Sequence, residues 1–316
     1  MKVFVYIVAA SKNPDYVECI VPFEVNNDII FFGPCKKRLR RNLYEWYLKN
    51  SPNGEKDVSS EDLYVIGLNG SNSRKERKIT WVGKILKILT FEKAYHSCLS
   101  DKQFKKMMQQ QGSPLNLEPI YDSRKTFIGY KLRSTEHKEN DDWILDVIEK
   151  RNDPNVEIDF ENKTMTLRNP SNRKEIFLRD CCFLCENIFF ARGKGIDIKE
   201  DILNIFKKAQ PNKRGIDNYA IFGLREDGGV DGLTGNYLEI SGRIAKKMIA
   251  IVTKKAKTVH TGESLKKDTL RRGKCRRIIS QRQRRLTGGC TRRVYVLPFG
   301  ILLPLVATSY TLGNVI

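Results

Sequence analysis

Residues 78–89, KITWVGKILKIL, read as a β-strand, and residues 62–68, DLYVIGL, read as the strand that pairs with it. The segment NGSNSRKER between them is rich in turn formers, and Arg74, Lys75, Arg77 and Lys78 gather four cations at its end. Working outward, KVFVYIVA (2–9) and DIIFFG (28–33) read as further strands, the second punctuated by Gly33-Pro34. LYEWYLKN (43–50) reads as a short helix and SPNGEKDVSSED (51–62) as a polar loop. Thr90 is an N-cap candidate for a helix opening at TFEKAYHSC. Residues 101–140 are polar and poorly periodic.

Further along, apolar residues at 143, 144, 147 and 148 in DDWILDVIEKR have the spacing of one helix face. VEIDFENKTMTLRN (156–169) alternates and turns at Glu161-Asn162-Lys163, so it reads as a hairpin. EIFLRDCCFLCENIFFA (175–191) is a buried, strand-rich run. Residues 197–210 form an amphipathic helix pattern, with Ile198, Ile202, Ile205 and Phe206 on one face and Pro211 as its stop. Many short strands with few helices predict an α+β domain over 1–210, either a compact curved sheet or a small β-barrel with flanking helices.

Charge narrows the class of partner. The chain of 316 residues carries a net charge of +20, which favours a polyanion, nucleic acid before acidic membrane. Half of that excess lies in residues 258–316, which hold twelve Lys/Arg against two Asp/Glu and switch from Lys to Arg as the main cation. Residues 258–316 are therefore set apart as a basic then apolar tail, and 211–257 as an extension of the domain. Residues 294–316 carry no charge, and 23 residues exceed the ~20 needed to span a bilayer, with arginines on a cytoplasmic-side flank. Pro298, Gly300 and Pro304 break that pattern, so a segment foreign to the fold and a basic nucleic-acid-binding arm are both preferred to a membrane anchor. MKVFVYIVAA reads as a first strand rather than a signal peptide, and eight irregularly spaced cysteines fit a reducing cytoplasm.

One order of motifs suggests a family. A first strand is followed by Cys35-Lys36-Lys37-Arg38-Leu39-Arg40-Arg41; then comes Asp62 to Gly67; then Ile79 to Tyr95, ending in Leu-Thr-Phe-Glu and an aromatic. This resembles the nucleotide modification associated domain proteins, which are phage and bacterial proteins tied by genomic context to hypermodified DNA bases and similar to PUA/ASCH-type barrels. The resemblance covers about residues 1–210, and the chain departs from it in an insert at 44–61 and in the tail. It implies a PUA-like domain linked to DNA base modification or to recognition of a modified base. No catalytic residue is carried over.

Within that frame Lys36, Lys37, Arg38, Arg40, Arg41, Arg74 and Lys78 are candidates for phosphate contacts, or else a solvated basic loop. On an extended segment Arg38 and Arg40 would share one side, and Lys37 and Arg41 the other. Trp81 and Tyr64 are candidates for stacking on a base, against the alternative of core packing. Arg192-Gly193-Lys194-Gly195 at a strand-to-helix junction is a candidate anion loop, or a turn that needs glycine. It lacks P-loop spacing, so a free-nucleotide enzyme using it is the second reading, and a membrane-tethered interaction protein the third. Cys182-x-x-Cys185 has metal-ligand spacing without a second pair, and its apolar setting reads as buried thiols. The Gly228–Gly235 stretch reads as a mobile loop. No motif calls for a cofactor, and no catalytic constellation is legible.

Overall fold

The computed structural model describes residues 1–7, 22–33, 36–69, 78–100, 102, 117–133, 143–191, 195–209 and 237–259. All of them belong to one unit, Met1–Glu263, which ends five residues beyond the compositional boundary near 258. The fold is α+β, with two sheets and few helices.

The larger sheet is built along one long strand. β1 (Lys2–Ile7), β2 (Phe23–Glu24) and β3 (Ile29–Phe32) precede helix α1 (Lys37–Leu43), which continues as a π-helical turn over Tyr44–Leu48. β4 (Glu55–Asp57), β5 (Leu63–Leu68) and β6 (Lys78–Leu89) follow. β6 spans twelve residues, long enough to carry two partners end to end on each edge. β5 and β4 pair along one edge, antiparallel. β11 (Cys182–Phe190) and β12 (Ile196–Asp197) pair along the other. β5 also runs parallel to β1, and β3 and β2 extend the sheet beyond β11. At the opposite end β13 (Leu238–Ser241) pairs with β1.

The path β13-β1-β5-β6-β11-β3-β2 is open, because its two end strands are not joined to each other. Of the two forms expected from the sequence, a compact curved sheet or a small barrel, the barrel is therefore not formed among the described residues. Burial explains this outcome. β1 alternates, with Val3, Val5 and Ile7 entering one core and Phe4 and Tyr6 another, so both faces of the sheet are covered. Helix α4 (Glu200–Ala209) and helix α5 (242–259) cover the first face through Ile202, Ile205, Phe206, Met248, Ile249 and Val252. Helix α1 and its π turn cover the second through Leu39, Leu43, Tyr44 and Leu48.

The smaller sheet is four-stranded and antiparallel, in the spatial order β7 (Leu117–Tyr121), β8 (Phe127–Leu132), β10 (Thr164–Leu167) and β9 (Val156–Asp159). It encloses a third core with α2 (Phe91–Ser100), Trp143, Ile144, Val147 and Ile148. Short helix α3 (Arg173–Ile176) leads from it toward β11.

Several expectations meet their structural counterparts here. The 156–169 hairpin forms, with Lys163 in the left-handed region at φ 54°. Thr90 caps α2 by accepting from the Lys93 amide at 3.2 Å. The helix expected at 141–151 is a single 3₁₀ turn, Ile144–Asp146, although its four apolar residues are all buried. The polar loop 51–62 contains β4, and the poorly periodic stretch contains β7 and β8. The helix expected at 43–50 begins instead at Lys37.

Close backbone approach leaves no room for a side chain at two glycines. A Cβ on Gly195 would lie 2.7 Å from the Ile79 carbonyl oxygen, so β12 reaches β6 only with glycine there. A Cβ on Gly129 would lie 1.9 Å from the Met165 carbonyl oxygen, which forces β8 and β10 apart. Gly129→Ala is expected to destabilise the protein by about 1–3 kcal/mol, read from a lower urea midpoint; an unchanged midpoint contradicts the β8–β10 register.

Candidate functional site

The run Cys35–Arg41 is where sequence and structure part most sharply. Lys37–Leu43 is helical, not extended, because Leu39, Leu43, Tyr44 and Leu48 recur at helical spacing and are all buried. Arg40 shares that face and is 0% exposed. Its guanidinium donates to the carbonyl oxygens of Arg179, Cys181 (3.2 Å) and Asp146 (2.8 Å), lies 3.7 Å from the Asp146 carboxylate, and sits over the Phe91 ring. Arg40 thus ties α1 to residues 146 and 179–181, and the phosphate contact expected of it is corrected to a core interaction. Arg41 pairs with Glu149 at the surface. Lys36 adopts φ 60° and places its ammonium 5.2 Å from the Tyr6 ring centre. Arg38 is exposed, and Lys37 is half-buried.

The aromatic candidates are also in the core. Trp81 is 0% exposed, donates from Nε1 to Tyr6 Oη at 2.9 Å and stacks on Phe32. It has no accessible face for a base, so core packing is its role. Tyr64 is buried in the core beneath α5. Lys78 faces Asp197 at 3.7 Å. Arg74, Arg192, Gly193 and Lys194 lie outside the described residues, as does Gly228–Gly235; Gly195 serves the close approach described above. Cys181, Cys182 and Cys185 are buried, and burial pushes the Cys181 and Cys185 thiols far up, which keeps them protonated. Among the described residues no group of three or more His, Cys, Asp or Glu could hold a metal.

The structure assembles two features that the sequence reading passes over. The first is a polar network at the start of α2. Asp180 is fully buried; its Oδ1 accepts from the Phe91 amide and Tyr130 Oη, both at 2.8 Å, and its Oδ2 accepts from Arg173 Nη2 at 2.8 Å. Arg173 also pairs with Glu92 and lies 3.7 Å over the Phe127 ring. Glu92 accepts from Tyr121 Oη at 2.8 Å, and Tyr121 Oη lies 2.5 Å from His96 Nε2. Burial, then the charge of Asp180, pushes the Tyr130 phenol well up; burial and the bond to Glu92 do the same at Tyr121. Both phenols therefore keep their protons.

This network forms one side of a groove of about 800 Å³. Its walls come from Tyr44–Gly54, the exposed side of α2, and Pro170–Lys174. The volume lies within the range of small-molecule sites, about 300–1,000 Å³.

The second feature is α5. Its eighteen residues hold six Lys/Arg and no Asp or Glu. Ala245, Met248, Ile249, Val252 and Ala256 are buried, while Arg243, Lys246, Lys247, Lys254 and Lys257 are exposed. The 3.6 period thus separates an apolar face from a cationic one. Lys255, at the margin, pairs with Asp201 of α4 at 3.0 Å. Burial raises the Asp201 carboxyl, but the Lys255 ammonium and the Ile202 amide outweigh it and hold the group below its usual range. Arg243, Lys246, Lys247 and Lys254 make no ion pair with any described residue. That periodicity is readable in residues 243–257; the glycine-rich stretch before it draws attention away.

No protein-family model matches the chain, and no curated protein and no solved structure is significantly similar to it.

Removing the Arg40 guanidinium takes a donor from three carbonyls and the cation from beside the buried Asp146 carboxylate. Arg40→Met is expected to cost about 3–5 kcal/mol in urea unfolding, far more than Arg41→Gln at its surface pair. Equal effects of the two substitutions would return Arg40 to the surface.

Proposed function

We propose that the protein binds nucleic acid through the cationic face of α5. The observation that carries this reading is the helix's charge: six cations, no acid, and an opposite face anchored in the core. Arg243 and Lys257 are fourteen steps apart along the helix, about 21 Å at 1.5 Å per residue. A row of cations of that length suits successive backbone phosphates.

Helix stability does not account for this choice of residues. The positive end of a helix dipole favours acids in the first turns, where α5 instead has Arg243, Lys246 and Lys247. Arg243/Lys247 and Lys254/Lys257 are like-charged neighbours that repel at these spacings. Local rules broken this way, on a helix otherwise well packed, fit a surface kept for an anionic partner. The net charge of +20 supports the same reading.

DNA is preferred among polyanions because of the resemblance of residues 1–210 to nucleotide modification associated domains. On that basis the protein acts in DNA base modification or in recognition of a modified base.

The test uses the full chain and a duplex oligonucleotide across a salt series. Lys246→Gln/Lys247→Gln/Lys254→Gln is expected to shallow the salt dependence of log K by about 0.9 for each phosphate that the variant no longer neutralises. A control with the same charge change at exposed lysines elsewhere, Lys56→Gln/Lys150→Gln/Lys163→Gln, is expected to keep the slope. Equal slopes in the two variants would contradict an α5 contact surface.

A further inference from the structure

We propose that the groove beside α2 binds a phosphate monoester carried on a sugar, at a site separate from the nucleic-acid face of α5. The groove's charge is the first argument. Lys93, Arg173 and Lys174 line it with His96, against one carboxylate, Glu92. Glu92 is engaged by Arg173, which also pairs with the buried Asp180, and by the Tyr121 hydroxyl, so the positive charge the groove offers is that of Lys93 and Lys174. Lys174 is exposed, and Lys93 has only a 4.0 Å contact to Glu55, which is shared with Lys87 at 2.7 Å. The surplus charge of the lining is therefore positive, as a phosphate requires.

The direction of the wall's hydroxyl groups is the second argument. Ser51 Oγ donates to the Tyr47 carbonyl, Ser97 Oγ to the Lys93 carbonyl, and Ser100 Oγ to the Ser97 carbonyl. With those protons committed, each oxygen offers the groove lone pairs. An acceptor-rich wall beside surplus positive charge matches a ligand with hydroxyl donors at one end and an anion at the other. A sugar phosphate has that arrangement.

His96 is held for the same purpose. Tyr121 spends its one proton on Glu92, so His96 Nε2 must donate to Tyr121 Oη. That fixes the ring's tautomer and orientation, which Arg173 in turn supports through Glu92. The buried Asp180 holds Arg173 from behind. The site's polar side is thus fixed before any ligand arrives, which lowers the ordering cost of binding.

Two sources supply this chemistry: a free nucleotide or sugar phosphate, and the 5′-phosphate end of a nucleic-acid strand. The experiment titrates the full chain with ribose 5-phosphate, adenosine 5′-monophosphate, ribose, and a short single strand with and without a 5′-phosphate. Ribose 5-phosphate and the mononucleotide are expected to bind, and ribose is not. Lys93→Gln/Lys174→Gln is expected to weaken them about tenfold or more, with duplex affinity unchanged. Ser171→Tyr, which fills the groove without altering charge, is expected to do the same should the lysine pair unfold the protein. Tighter binding of the 5′-phosphorylated strand than of its 5′-hydroxyl twin assigns the strand end as the source; equal binding of the two strands assigns the free compound. Failure of both small phosphates to bind at millimolar concentration overturns the proposal. So does binding that survives both variants, or a parallel loss of duplex affinity.

Discussion

A guanidinium with no contact to solvent constrains the middle of this structure. Arg40 sits on the inward face of α1, and a buried cation is tolerated only where its donors are met. Three carbonyls and the Asp146 carboxylate meet them, and those groups come from the 3₁₀ turn at 144–146 and from residues 179–181. The same short segment supplies Asp180, which holds the first amide of α2 and orients Arg173. The large sheet, the small sheet and the wall of the groove are therefore joined at residues 179–181. Displacing Arg40 would disturb all three together.

Around that junction the large sheet divides the chain's chemistry. β6 carries partners along both edges, and helices cover both faces, so its aromatic and β-branched residues are spent on packing. Among the described residues, the outer faces of the covering elements are then left for recognition. One is the cationic side of α5, whose other side is fixed over β1 and β5. The other is the exposed side of α2, where hydroxyls and cations meet the 170–174 segment. They differ in kind. The first is an open row of flexible lysines suited to a repeating backbone, and the second is a concave, pre-oriented site suited to one small anion.

Much of the framework is legible in the sequence. Strand periodicity in 2–7, 63–68 and 78–89 and the Thr90 cap translate directly, and the amphipathic pattern expected at 197–210 forms a helix that starts only at Glu200, Asp197 having joined β12. The density of cations in CKKRLRR conceals the rest. It draws the eye to solvent, while Leu39, Leu43, Tyr44 and Leu48 carry a helical period through the same residues. β4 is hidden because Glu55-Lys56-Asp57 is polar and gains strand character only by pairing with the end of β6. Neither groove nor network could be read, since Glu92, Tyr121, Arg173 and Asp180 are spread over some ninety positions and meet only through the fold.

Lysine acetylation footprinting of the full chain with and without duplex DNA, read residue by residue by mass spectrometry, would decide whether α5 is the nucleic-acid surface. DNA is expected to protect Lys246, Lys247 and Lys254, while Lys56, Lys150 and Lys163 are labelled equally in both samples. Equal labelling of the α5 lysines in the presence of saturating DNA would contradict it.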